Sequence, residues 1–128
     1  MLAYIMVGSS NLKRSAKFYD AVLAPLGFVQ AGGSDRYIGY GPKNAPKKAQ
    51  FFVTKPFNKK KATFGNGTMI SLVAKNRKAV DGFHAAALAN GGTDEGKPGP
   101  RPADGTNYVA YVRDPDGNKI CAYCEKAK

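Results

Sequence analysis

The stretch Tyr4-Ile-Met-Val-Gly-Ser-Ser-Asn-Leu-Lys-Arg-Ser-Ala-Lys-Phe-Tyr19 decides the fold, because its outline returns 65 positions later. At that shift Asn11 meets Asn76, Lys13 meets Lys78, Phe18 meets Phe83, Ala21 meets Ala86, Leu23 meets Leu88, Ala24 meets Ala89 and Gly27 meets Gly92. The matches fall on a strand-to-helix segment in each half, Tyr4 to Gly27 and Met69 to Gly92, so they report a duplicated structural unit and not low complexity. Two copies make one pseudo-symmetric domain, too few for a solenoid.

Outward from that stretch, Tyr4-Ile-Met-Val7 predicts a strand and Ser9-Ser-Asn11 an N-cap. The run Leu12 to Leu23 then carries Ser15, Phe18, Tyr19, Val22 and Leu23 at helical spacing, which assigns Phe18 and Tyr19 to packing. Pro25 and Gly27 end the helix. Phe28 to Gln30, Tyr37 to Tyr40 and Gln50 to Thr54 read as short strands between clusters of Gly, Ser, Asp, Pro and Asn. The second unit predicts a strand over Thr68 to Val73 and a helix from about Arg77 to Asn90 closed by Gly91-Gly92. A short strand near Thr93 follows, then a Pro- and Gly-rich loop from Lys97 to Gly105 and a strand over Asn107 to Arg113. The turn Asp114-Pro-Asp-Gly117 leads to the last strand, Lys119 to Tyr123. The expected fold class is α+β: two βαβββ repeats, 1–54 and 67–124, joined by a linker 55–66 within one domain 1–125, with a tail 126–128.

Composition bounds the function. With 128 residues, 43% of them apolar, the chain is long enough to bury one core. No stretch approaches the roughly 20 apolar residues of a membrane helix, and Met1 to Val7 is too short for the apolar region of a signal peptide. A soluble cytoplasmic protein is therefore expected, and Asn66-Gly-Thr68 reads as a turn and not as a glycosylation site. Cys121 and Cys124 form Cys-x-x-Cys, but on a strand they point to opposite faces, and a second ligand pair for zinc is missing. Two unpaired thiols are the preferred reading over a redox or zinc site.

The formal charge of +11 comes from 20 Lys and Arg against nine Asp and Glu. Lysines gather at Lys43, Lys47 and Lys48 and again at Lys55, Lys59, Lys60 and Lys61. Such clusters attract polyanions, yet no helix-turn-helix, zinc finger or aromatic ribonucleoprotein signature accompanies them, so nucleic acid is not expected as a partner.

Tyr4 to Tyr19, Gly65-Asn-Gly-Thr68 and Tyr111-Val-Arg-Asp-Pro-Asp-Gly-Asn-Lys-Ile120 together resemble the vicinal oxygen chelate superfamily, whose members include glyoxalase I, extradiol dioxygenases, fosfomycin-resistance enzymes and bleomycin-resistance proteins. The resemblance spans essentially the whole chain, with the three motifs in the correct order. It implies a curled sheet around a shared cavity. In catalytic members a divalent metal sits there, held by His or Gln near the start of each half and by Glu on the last strand. Carried over residue by residue, those positions fall on Tyr4, Met69 and Cys121. None is a usual ligand for a hard or borderline divalent ion, so no metal and no cofactor are expected and the three are assigned to an apolar pocket. The only histidine, His84, aligns with Tyr19 on the second helix and is expected outside that pocket.

Strand alternation extends the set. If Tyr4 points inward so does Met6; Met69 brings Ser71 and Val73, and Cys121 brings Tyr123, while Phe52 closes one side. Arg101, in Gly99-Pro-Arg-Pro102, is the candidate anion contact, with a plain surface arginine as the alternative. The expected function is metal-free binding of a small organic, possibly anionic, molecule by a homodimer, with exchange of halves between chains left open. Bleomycin itself is not the expected ligand, since a cationic drug is repelled by a +11 surface. The alternative is a lyase, isomerase or dioxygenase with an atypical or lost metal site, using Tyr4 or Tyr123 as acid-base group or Cys121 as nucleophile.

Overall fold

In the computed structural model, which describes residues 1–125, the matched asparagines do the same work in both halves. Asn11 caps a helix by accepting the Arg14 N–H, and Asn76 caps another by accepting the Ala79 N–H. Each lies three residues before its donor in extended backbone, the geometry in which a short amide side chain satisfies an orphan donor of the first turn. The tail 126–128 lies outside the described residues.

The chain runs β1 (Ile5–Gly8), α1 (Leu12–Leu23), a single 3-10 turn (Ala24–Leu26), β2 (Phe28–Gly33), β3 (Tyr37–Pro42) and β4 (Phe51–Thr54). It continues through β5 (Ile70–Val73), α2 (Arg77–Ala89), β6 (Thr93–Pro100), β7 (Tyr108–Arg113) and β8 (Lys119–Cys124). These form two four-stranded sheets of identical plan, β1-β4-β3-β2 and β5-β8-β7-β6. In each, the first strand pairs in parallel with the last and the remaining pairs are antiparallel. The two βαβββ units expected from the repeat are therefore present, and β1 and β5 are edge strands.

Several boundaries shift by one to three residues from expectation, and three of the differences have a plain physical reason. The ladder of β1 starts at Ile5, where its N–H reaches the Gln50 carbonyl, so Tyr4 precedes the strand. The ladder of β5 likewise starts at Ile70, leaving Thr68 and Met69 outside it. The short strand near Thr93 instead runs eight residues to Pro100, with breaks of register between Asp94 and Gly96 and between Gly96 and Gly99. It is an edge strand, where proline's missing N–H is tolerated and bulges are common, so its glycines and prolines irregularise the strand without ending it.

Both helices cover the same side of their sheets and pack on each other. Phe18, Tyr19, Val22 and Leu23 from α1 and Val80, Phe83 and Ala87 from α2 are buried with Val53, Val112 and Ile120 from the sheets. Fully burying side chains of this size contributes roughly 1.5–3 kcal/mol each.

The Asp114-Pro-Asp-Gly-Asn118 turn between β7 and β8 ties the second unit to the first. The Asp114 carboxylate, 4% exposed, accepts the Tyr19 hydroxyl proton at 2.6 Å. It also accepts the Asp116 and Asn118 backbone N–H groups and the Asn118 side-chain amide, each at 2.9 Å. Asn118 donates in addition to the Gly8 carbonyl, and Asp116 receives the Ser10 N–H and the Arg14 guanidinium. Gly117 turns the chain at φ 91°, a conformation that disfavours any Cβ. Burial, with the Asp114 charge beside it, pushes the Tyr19 phenol well above its ordinary value, which keeps it a donor.

Candidate functional site

Alternation in the strands sorts the candidate residues. Val7, Phe51, Val53, Ile120 and Ala122 belong to the core under the helices, so Met6, Phe52, Cys121 and Tyr123 stand on the opposite, helix-free face. On the first sheet Met6 lies in register with Phe52. The Phe52 ring is met edge-on by Tyr4, with centroids 5.1 Å apart, and by Tyr37 at 5.9 Å. Gly39 makes this possible: a Cβ there would lie 2.9 Å from the Phe52 ring. On the second sheet Ser71 lies in register with Cys121, and Val73 with Tyr123, whose hydroxyl donates to the Asn107 side chain at 3.0 Å.

The two groups meet along a seam between the units. Its first pocket, about 370 Å³, runs between Tyr4, Gln50 and Phe51 on one side and Met69, Ser71 and Leu72 on the other. A second, about 310 Å³, adjoins it through Phe28, Phe51 and Leu72 and extends to Leu23 and Leu26. Both fall at the small end of the range for ligand sites. Of the expected residues, Tyr4, Met69, Ser71 and Val73 line this seam. Met6, Phe52, Cys121 and Tyr123 lie on the adjoining sheet faces. Leu23, Leu26, Phe28, Gln50, Phe51 and Leu72 were not anticipated. Strand parity assigns Phe51 and Leu72 to the core, but at the meeting of two sheets a core-facing side chain also borders the gap between them.

Arg101 lies outside this assembly, in the loop after β6. Its guanidinium donates to the carbonyls of Pro100 and Lys97, at 3.1 and 3.2 Å, and is exposed. His84 sits on the buried face of α2, with its Nε2 2.8 Å from Asp94 Oδ1 on β6. That contact holds the Asp94 carboxyl below its ordinary value.

Cys121 is 2% exposed, and burial pushes its thiol up, with the Ser71 hydroxyl and Lys119 opposing in part. A thiol kept protonated is a poor nucleophile, and Cys124 on the other face is buried too. Tyrosine, methionine and a protonated thiol, at the positions to which the resemblance carries the family's ligands, do not suit a hard or borderline divalent ion. Among the described residues no group of three or more His, Cys, Asp and Glu could hold one. Among the described residues no helix is long and apolar enough to cross a membrane.

The geometry agrees with that of known proteins. The closely similar glyoxalase/bleomycin resistance protein of Albidiferax ferrireducens is 42% identical, with 95% of this chain and 96% of that one covered at a TM-score of 0.84. A glyoxalase-related enzyme from Fulvimarina pelagi (18% identity, 97% and 87% covered, TM-score 0.72) shares the fold. So does glyoxalase I of Zea mays (21% identity, TM-score 0.69), of which the match covers 46% while covering 97% of this chain. No curated protein matches the chain. The family model of the Glyoxalase/Bleomycin resistance protein/Dioxygenase superfamily matches residues 1–122, and with its two βαβββ units the chain belongs to that superfamily.

Proposed function

We propose that this protein binds a small organic molecule, of anionic character, in the seam between its two units, without a metal. The observation that carries the reading is the chemistry of the seam itself. Tyr4, Phe51, Met69 and Leu72 offer aromatic, thioether and aliphatic surface, and Gln50, Ser71 and the Tyr4 phenol supply a few polar contacts. Small-molecule sites commonly have this composition, and Met walls adapt to irregular ligands. The protein's positive field favours anions, with affinity that weakens as salt rises. A catalytic role for Cys121 is disfavoured by its burial and its raised thiol value.

The binding form is a cytoplasmic homodimer. Tyr4, Met6, Tyr37, Met69 and Val73 are exposed apolar side chains of one surface, Tyr4 at 57% and Val73 at 80%, and β1 and β5 leave unpaired edges beside them. A second copy covers such surface and such edges. Whether Met6, Phe52, Cys121 and Tyr123 join the ligand site depends on that copy, and Arg101 is the remaining candidate for a contact to a carboxylate.

The test is a thermal-shift screen of small carboxylates and planar aromatics, repeated on Met69→Trp. The larger ring fills the seam at an overpacking cost of about 1–3 kcal/mol, so hits should be lost while the variant stays folded. A folded variant that retains every hit refutes the seam. Elemental analysis finding about one divalent ion per chain, with a chelator lowering the melting temperature, refutes the metal-free reading.

A further inference from the structure

The positive charge of this protein is not spread over it. Residues 36–80 contain eleven of the twenty Lys and Arg and none of the nine Asp and Glu, so the rest of the chain is neutral, nine against nine. Folding concentrates this further. Arg36, Lys55, Lys59, Lys60 and Lys61 line one groove of about 410 Å³ beside Ser10, at the C-terminal ends of β1 and β4. No acidic residue lines it. Two acids lie near its rim: Asp116, occupied by Arg14, Ser15 and the Ser10 N–H, and Asp35, which lines the adjoining hollow with Ser10 and Lys55.

The backbone that carries these cations is held in place, and so is the Arg36 guanidinium. Arg36 donates to the Pro56 carbonyl at 3.3 Å, and Lys55 N–H to the Arg36 carbonyl at 2.8 Å. At the far end the Ala62 N–H donates to the Ser10 hydroxyl at 2.8 Å, pinning the linker to the entry of α1. Between these anchors a turn closes from Lys59 N–H to the Pro56 carbonyl, and Lys59 takes φ 64°, a left-handed conformation rare for a lysine. Lys55, Lys59, Lys60 and Lys61 form no ion pair among the described residues. Five cations crowded into one concavity repel one another, and a multiply charged anion relieves that repulsion while gaining charge-assisted hydrogen bonds.

We propose that this groove is a binding site for a compact polyphosphate, the chain of two or three phosphates carried by inorganic polyphosphate or by a nucleotide. It is separate from the seam and does not rest on the function proposed there. A lysine set suits this class, because point charges on flexible stems follow a phosphate chain without demanding one planar orientation. Lipid surfaces and long nucleic acids would be met by an extended basic face, whereas these cations converge on a recess.

Calorimetric titration of the full chain with tripolyphosphate at low salt is the test, against Lys59→Asn/Lys60→Ser/Lys61→Ser and a charge-matched control, Lys43→Ser/Lys47→Ser/Lys48→Ser. Asparagine at 59 accepts the left-handed backbone, and thermal melts report folding of each variant. Losing three direct phosphate contacts should weaken binding about tenfold or more, while the control, which lowers only the general field, should shift it less than about threefold. Adenosine triphosphate run alongside assigns the source: tighter binding than tripolyphosphate points to a nucleotide, equal binding to the phosphate chain alone. Equal loss in both triple variants, no binding of tripolyphosphate to folded wild type, or a single-stranded oligonucleotide that binds more tightly than either phosphate overturns the proposal.

Discussion

The connection between the last two strands has opposite character in the two units. In the second, the β7–β8 turn carries Asp114 and Asp116, turns inward, and holds Tyr19, Ser10 and Arg14 of the first unit. In the first, the β3–β4 connection carries Lys43, Lys47 and Lys48, all exposed, and its turn bonds run from Ala45 N–H to the Pro42 carbonyl and from Lys48 N–H to the Ala45 carbonyl. Beyond itself that connection reaches Gly27 through the Lys43 N–H. A duplicated fold keeps its strand order while one copy's turn becomes a buried clasp and the other a solvated cationic loop. The difference teaches that the repeat specifies topology, and that partners across the unit boundary decide what each loop is worth.

The largest test of that contrast is Asp114→Ala. It strips four hydrogen-bond donors of their acceptor in a buried site and should lower stability in denaturant titration by about 3–4 kcal/mol. The triple replacement Lys43→Ser/Lys47→Ser/Lys48→Ser in the opposite connection should stay within about 0.5 kcal/mol. Comparable losses in the two would erase the distinction.

The matched helices offer a second contrast. Leu23 and Leu88 occupy equivalent repeat positions, but Leu23 is 1% exposed and Leu88 47%. Leu23→Ala should destabilise by about 2–4 kcal/mol through lost burial and a residual cavity. Leu88→Ala should change the same measurement by under about 0.5 kcal/mol. A large effect of Leu88→Ala at micromolar concentration that vanishes on dilution would place this part of α2 in a subunit contact.

Smaller effects separate the two ends of the pH range. The Cys121 thiol is raised in the folded state, so its contribution is complete below the unfolded thiol value of about 8.5 and is lost as pH rises through the folded value. Cys121→Ala should flatten the alkaline limb of a stability–pH curve. An unchanged limb would show that this face of the second sheet is wetter than the burial of Cys121 implies.

The Asp94 carboxyl, beside His84, is lowered, which gives the opposite sign. Its contribution is present above the unfolded carboxyl value of about 4 and is lost as pH falls through the folded value. Asp94 is exposed, so Asp94→Asn should alter only the slope of the acid limb, slightly. An acid limb unaltered by that replacement would assign His84 a packing role alone.

Much of the fold is legible because its signals are local. An asparagine before an apolar-periodic run caps a helix wherever it occurs, and Asn11 and Asn76 do so in both halves. Gly27 at φ 82° and Gly91 at φ 92° follow helix ends as their chemistry dictates. Parity likewise separates Met6 and Phe52 from Val7 and Phe51 without any knowledge of tertiary contacts. The extent of β6 was not legible in this way. Gly96, Pro98 and Gly99 are local signals for a loop, and pairing with β7 overrides them.

By itself, then, the amino-acid sequence determined the repeat, the caps, the order of strands and helices, and that Tyr4, Met69 and Cys121 stand where the resemblance puts metal ligands. Only the tertiary structure decided that Asp114 reaches Tyr19, that Gln50, Phe28 and Leu72 border the same seam as Met69, and that Arg36 joins Lys55, Lys59, Lys60 and Lys61 around one groove. Backbone conformation within a turn or a strand is set by neighbours a few residues away, so its determinants are written along the chain. A contact across 95 residues, such as Asp114 with Tyr19, exists only where the two units are packed together, and its energy depends on the water that this packing excludes.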